Sequence, residues 1–279
     1  MILWLDGRLV PAAEARIDPA DRGFLLADGL FETIRAEDGR ALRVRRHLAR
    51  LRHGAELLGI PLPLDDLRLV EVLTTVLEAN GLAAGAAALR VTLSRGPGPR
   101  GLLPPEATRP TLLVAATPLP PPRPPARARL AHSVRRNEGS PTSRLKTLAY
   151  VDNLLALREA VAGGGDEALL RNGQGRLACG SMANLFLFVD GRLVTPPPAE
   201  GALPGVTRGR LLELARDLGI EVVERPLPLA LLGRAAEVFL SNSLVLVRPV
   251  AEIDGRALPT PCPGPVTARL AAALAADPG

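Results

Sequence analysis

Residues 140–153 read SPTSRLKTLAYVDN, and Lys146 within them is the single lysine of a 279-residue chain whose other 33 basic residues are all arginine. A guanidinium stays protonated and cannot form an imine. An ammonium sheltered among apolar and short polar side chains, by contrast, sheds its proton nearer neutral pH. The setting of Lys146 therefore suits a Schiff-base lysine. An ordinary solvated lysine in an arginine-rich composition fits the same stretch, so its meaning depends on the motifs around it.

Outward from this stretch, Thr117 to Arg129 reads TPLPPPRPPARAR, too proline-dense for a helix or an inner strand. It predicts a connector at residues 118–129 between a small domain, 1–117, and a larger one, 130–279. A chain of this length with 47% hydrophobic residues has the material for two cores. In the first part, Leu89–Ser94 and Thr111–Ala116 read as strands. Asp65–Asn80 reads as an amphipathic helix with Leu67, Val70, Leu73 and Leu77 on one stripe and Gly81 beyond its end. In the second part, Leu185–Val189 and Glu237–Ser241 read as strands. Thr207–Leu218 reads as a helix, with Leu211, Leu214, Ala215 and Leu218 inward and Gly219 as its stop. Both parts are mixed α and β.

The formal charge of +5 and pI near 10.3 raise nucleic acid as a partner. With 3% aromatic residues and arginines interspersed with acids, the reading is instead a solvated, arginine-rich surface and no nucleic-acid partner. Apolar runs are too short to span a membrane and residues 1–8 lack a signal-peptide core, which places the expectation in the cytoplasm. Two cysteines and three histidines offer neither a disulfide framework nor a metal site.

Four further motifs carry chemistry. Pro204-Gly205-Val206-Thr207 opens a helix, where free N–H groups, the dipole and a hydroxyl can hold a phosphate; a plain cap by Thr207 is the competing reading. Ser241-Asn242-Ser243 follows a strand and can bind an anion or simply turn the chain. In Arg45–Leu51, Leu48, Leu51 and Ala55 mark an amphipathic helix with Arg50 on another face, and His47 reads as structural. Ser94–Gly101, SRGPGPRG, is a stiff loop able to present Arg100 to a carboxylate.

Taken in order, ADGLFETIR, HLARL, SRGPGPRG, SRLKTLAYVDN, GRLACGSMANLFLF, LPGVTRGRLLELA and FLSNSLVLVRPV resemble the class IV aminotransferases, over about Leu5 to Val250. That group includes branched-chain and D-amino-acid aminotransferases and aminodeoxychorismate lyase. The resemblance implies an α/β (α+β) fold of PLP type IV: a small N-terminal α/β domain and a larger C-terminal α/β pseudo-barrel domain, with pyridoxal 5′-phosphate between them in a homodimer. It implies Lys146 as the lysine bonded to the cofactor and as the group that moves the substrate Cα proton. Arg50, Val206, Thr207 and Ser243 would hold the phosphate, Tyr150 would lie near the phenolic oxygen, and Asn184 would be structural. Arg100 would receive the substrate carboxylate, with Phe31, Asn242 and Leu244 also on the substrate side.

One position departs from the family. Cys179 stands where most members carry a glutamate facing the pyridine nitrogen, a contact that keeps the ring an effective electron sink. A thiolate could replace the carboxylate, the nitrogen could stay neutral, or a neighbouring donor could take over. The expected activity is transfer of an amino group from an aliphatic, branched-chain or D-amino acid to an α-keto acid. Aminodeoxychorismate lyase, releasing pyruvate and 4-aminobenzoate, is the alternative. A cofactor-binding protein without turnover is the third reading.

Overall fold

The computed structural model describes residues 1–277 and residue 279. They divide into two units: Met1–Pro121 with Lys146–Ala149 and Gly279, and Pro122–Leu145 with residues 150–277. Among the described residues, no helix is long and apolar enough to cross a membrane.

The first unit contains β1 (Ile2–Leu5), β2 (Arg8–Pro11), α1 (Arg22–Leu26), β3 (Gly29–Glu37), β4 (Arg40–Ala41), α2 (Val44–Leu58), α3 (Asp66–Ala79), β5 (Ala86–Ser94) and β6 (Thr111–Pro118). Its six strands form one antiparallel sheet in the order β2-β1-β6-β5-β3-β4. Leu30, Ile34 and Ala36 of β3, Ala87, Leu89, Val91 and Leu93 of β5, and Leu112, Val114 and Ala116 of β6 are all buried. The period of two in a strand places them on one face. Helices α2 and α3 pack on the sheet through Leu48, Leu51, Leu69, Leu73, Val76 and Leu77. The stripe expected on α3 is thus rotated: Leu67 is 78% exposed and Val70 lies at the rim, while Leu69 and Val76 are buried. Leu69, Leu73, Val76 and Leu77 follow the i, i+4, i+7, i+8 spacing that keeps one helical face to the sheet.

The segment that carries Lys146 belongs to this first unit. Phe31 N donates to Lys146 O at 2.9 Å, Leu148 N donates to Gly29 O at 3.0 Å, and Thr147 bridges to Leu30. Because β4 pairs only with Ala36 and Glu37, the start of β3 has an open edge, and residues 146–148 occupy it.

The second unit contains β7 (Ala126–Leu130), α4 (Val151–Ala162), β8 (Glu167–Arg171), β9 (Leu177–Gly180), β10 (Asn184–Val189), β11 (Arg192–Thr195), α5 (Val206–Asp217), β12 (Val222–Glu224), β13 (Glu237–Asn242), β14 (Leu246–Ile253), β15 (Arg256–Ala257) and α6 (Pro265–Ala275). Its mixed sheet runs β12-β11-β10-β13-β14-β7-β8-β9, with β15 beside β14. Strand β10 is apolar along nearly its whole length because both faces are covered. Leu185, Leu187 and Val189 enter one core with Leu177, Leu227 and Leu240, while Phe186 enters another with Leu211, Ala215 and Leu270. The Phe186 and Phe239 rings stack there with centroids 4.7 Å apart.

The expected connector is shorter than the proline content implies. Thr117 and Pro118 end β6 and residues 126–130 form β7, so only 119–125 lies outside both strands. Beyond Pro125, Ala126 and Ala128 are buried and alternate with Arg127 and Arg129, which is strand patterning within an arginine-rich run.

A Cβ added at Gly29 would lie 2.4 Å from Leu93 O and 2.8 Å from Leu148 Cδ1. Gly29→Ala is therefore expected to force β5 or the lysine segment outward and to cost about 1–3 kcal/mol. Urea unfolding monitored by circular dichroism would measure that loss.

Candidate active site

The Lys146 ammonium nitrogen lies 4.2 Å from the centroid of the Phe31 ring, and the Arg90 guanidinium carbon lies 3.5 Å from the same centroid. The aromatic face accepts cations there, but it cannot solvate them as water does. Burial is the largest influence on Lys146, Arg50 adds repulsion, Glu32 partly opposes it, and Arg90 adds a smaller repulsion. Together they bring the amine down to about 8 from its ordinary 10.5. A substantial neutral fraction then exists just above pH 7, as a nucleophilic amine requires.

Glu32 stands between Phe31 and Thr33 on β3 and points to the apolar face that α2 covers, with 0% of its surface exposed. A carboxylate in that place must be paired or protonated. Arg50 Nε donates to Oε1 at 2.7 Å and Arg50 Nη2 donates to Oε2 at 2.7 Å. His47 Nδ1 lies 2.7 Å from Oε2. Burial works most strongly against ionisation, yet the charge and hydrogen bonds of Arg50, with those of His47, hold Glu32 at about 2. Burial lowers His47 below its usual value, and the pull of Glu32 only partly restores it. At neutral pH His47 is a neutral donor to an ionised Glu32.

In the second unit, α5 begins at Val206, with Gly205 as its N-cap and no side-chain hydrogen bond on the first turn. Thr207 is the second helical residue, so the reading of Thr207 as a plain cap does not hold. Its hydroxyl instead donates to Ser243 Oγ at 3.5 Å. The first-turn N–H groups, the helix dipole and these two hydroxyls suit a phosphate. A Cβ on Gly205 would fall 2.0 Å from Asn184 Oδ1, and Asn184 Nδ2 donates to Leu203 O at 2.8 Å. Asn184 thus shapes the turn that leads into α5. Next to Ser243, the buried Ser241 Oγ has no hydrogen-bond partner among the described residues.

Cys179 is buried on β9 among Ala131, Ala156, Ala160, Ala168 and Leu170. Burial pushes its thiol up, Arg136 offsets part of this and Glu167 adds to it. Burial thus favours the neutral thiol of Cys179 over the thiolate. Tyr150 is half-buried at the N-terminal boundary of α4. Asn242 is taken up by its turn: Oδ1 accepts from Leu244 N and Val245 N at 3.0 Å each, and Nδ2 donates to Met182 O at 3.2 Å. Leu244 is half-buried in the same turn. Arg100 is exposed on the loop after β5. That loop is held by Arg22, which donates from Nη1 to Gly101 O and from Nη2 to Leu102 O.

The sequence reading passed over Glu32 and Arg90. The signal for Glu32 was present: Leu30, Glu32, Ile34 and Ala36 alternate, which puts a carboxylate on an apolar strand face. His47 and Arg50, one helical turn apart, are the cations to meet it. The signal for Arg90 was weaker, since an arginine on a half-buried strand face is common.

The residues of each unit fit part of pyridoxal phosphate in chemical terms: the first offers an amine at about 8, and the second an N-terminal helix turn with two hydroxyls and the unpartnered buried hydroxyl of Ser241. The family model described as amino-transferase class IV matches residues 29–253. A Methanocaldococcus jannaschii protein, provisionally named a branched-chain-amino-acid aminotransferase, is 36% identical over 272 residues, covering 97% of this chain and 94% of that one. The aminodeoxychorismate lyase of Bacillus subtilis is 29% identical over 254 residues, covering 91% and 87%. A solved branched-chain aminotransferase from the archaeon Thermoproteus uzoniensis, with norvaline, superposes with a TM-score of 0.91 at 31% identity, covering 99% of this chain and 93% of that one.

A lysine held at about 8 in the folded state and near 10.5 when unfolded destabilises the fold below pH 8. That penalty fades as pH rises from 8 towards 10.5. Lys146→Met should therefore stabilise the cofactor-free protein by about 1–3 kcal/mol at pH 7. Thermal unfolding of both proteins across this pH range should show the difference shrinking as pH rises.

Proposed function

The chain belongs to the class IV aminotransferase family, and on that premise we propose that it transfers the amino group of a branched-chain or other aliphatic α-amino acid to an α-keto acid, using pyridoxal 5′-phosphate. The observation that carries the reading is the single lysine, half-buried against Phe31 with its amine brought down to about 8. The relatives named as branched-chain aminotransferases support the substrate class, as does a chain with few aromatic side chains to line a pocket.

The cofactor, when bound, supplies an aldehyde that captures an amino group and a conjugated ring that draws electrons from the substrate Cα. With the cofactor bound, Lys146 would be the residue that holds it through its amine, and that amine, neutral in part near pH 7, would take up and return the proton of the substrate Cα. By the family resemblance, Arg50, the N–H groups of Val206 and Thr207 and the hydroxyls of Thr207 and Ser243 would hold the phosphate. Tyr150 would hydrogen-bond the phenolic oxygen. Arg100 would bind the substrate carboxylate, and Phe31, Asn242 and Leu244 would border the substrate.

A specific observation favours a second reading. By the family resemblance, Cys179 stands where most members carry a glutamate facing the ring nitrogen, and a buried neutral thiol would lend that nitrogen no negative charge. An elimination driven by formation of an aromatic product suffers less from this than transamination does. Aminodeoxychorismate lyase activity is that alternative, and the Bacillus subtilis relative is so named.

A homodimer is part of the proposal. Phe24, Leu25 and Leu26 on α1, and Leu102 and Leu103 on the loop that Arg22 ties to it, are exposed apolar side chains on the first unit. Sedimentation should give twice the chain mass, and Leu103→Asp should shift it towards the monomer.

The purified protein is expected to absorb in the visible, to lose that absorption in Lys146→Ala, and to pass to the pyridoxamine form with L-leucine. Absorption that no amino acid bleaches, together with pyruvate released from aminodeoxychorismate without an amino acceptor, would establish the lyase instead. No visible absorption after incubation with pyridoxal phosphate would overturn both readings.

A further inference from the structure

Four charged or titratable groups act on the Lys146 amine or on the residues that surround it, and they come from three elements of the first unit. Lys146 sits on the open edge of β3, Glu32 lies on β3 itself, His47 and Arg50 lie one turn apart on α2, and Arg90 lies on β5. Arg50 and Arg90 both repel an ammonium at Lys146, and Glu32 is the carboxylate that opposes them. Its two oxygens grip Arg50 through Nε and Nη2, a two-point contact that fixes the guanidinium plane as well as its position. His47 closes the second oxygen at 2.7 Å.

An ion pair buried only to hold α2 on β3 would be an inefficient device, since apolar residues of like volume do that as well or better. The arrangement makes sense if the charge is needed where it is. We propose that Glu32 is a positioning residue for the Lys146 amine: its two-point grip fixes the Arg50 guanidinium, whose charge acts on the lysine, and its own charge offsets that of Arg50. This rests on the reading of Lys146 as the reactive amine. His47 supports the arrangement as a neutral donor, keeping Glu32 ionised without adding a further cation.

The single lysine makes the test direct. The 279-residue chain, carrying no lysine-containing tag and stripped of cofactor, is labelled with 13C at the lysine ε-carbon, so that one resonance reports one amine. Its midpoint is followed with pH in the wild type and in four variants. Glu32→Gln should lower the midpoint by about one pH unit, because Arg50 then acts uncompensated. Arg50→Gln should raise it, Glu32→Asp should restore most of the wild-type value, and the double variant Glu32→Gln/Arg50→Gln should fall between the two single ones. Should Glu32→Gln fail to fold, the double variant against Arg50→Gln isolates the carboxylate, and the double must titrate lower. Folded variants whose midpoints coincide with the wild type would overturn the proposal. The measurement uses no cofactor, so it separates from the functional reading. A responsive lysine in a chain that never takes up pyridoxal phosphate leaves Glu32 in its role and removes the function. Cofactor uptake with an unresponsive lysine does the reverse.

Discussion

A carboxylate on the apolar face of a sheet must be met by cations or lose its charge, and Glu32 is met by two residues of one helix. That requirement fixes the rotation of α2 on β3, because His47 and Arg50 reach the carboxylate together only when Leu48 and Leu51 face the sheet. It also fixes where Arg50 is held. The lysine is set by the same strand through a different interaction, since residues 146–148 pair with the open edge of β3 by backbone hydrogen bonds at Phe31 and Gly29. One strand thus pairs with the lysine segment through Gly29 and Phe31, supplies the aromatic ring under the amine and holds Arg50 through Glu32.

The second unit meets its own constraint at Gly205. Asn184 anchors the turn through Leu203 O and occupies the space a side chain at 205 would need, so the chain enters α5 with no residue to cap it. Uncapped N–H groups cost stability unless water or a ligand satisfies them. A helix that begins this way, with Thr207 and Ser243 alongside, is better suited to an anion than to stability alone.

Cys179 shows how burial decides chemistry that residue identity leaves open. A cysteine can be a thiolate or a small apolar side chain, and which it becomes depends on its neighbours. Packed among alanines and Leu170, with Glu167 acting against the thiolate, its neutral form is favoured. The same residue beside an open cationic surface would read the other way.

The sequence by itself determined the fold class, the family and the lysine. A lone Lys146 among arginines, the apolar run of β10 and the ordered set of motifs each follow from local composition or from a resemblance spanning most of the chain, and neither needs coordinates. It also held the alternation that buries Glu32, though a strand pattern cannot say which residues of another element answer a buried charge. What only tertiary structure decided are the non-local facts. Among these are the pairing of Glu32 with residues 15 and 18 positions away, the return of residues 146–149 to the first unit, the face that α3 turns to its sheet, and the burial of Cys179. Periodicity fixes which faces an element can bury, whereas partners, desolvation and charge depend on what the rest of the chain brings against those faces.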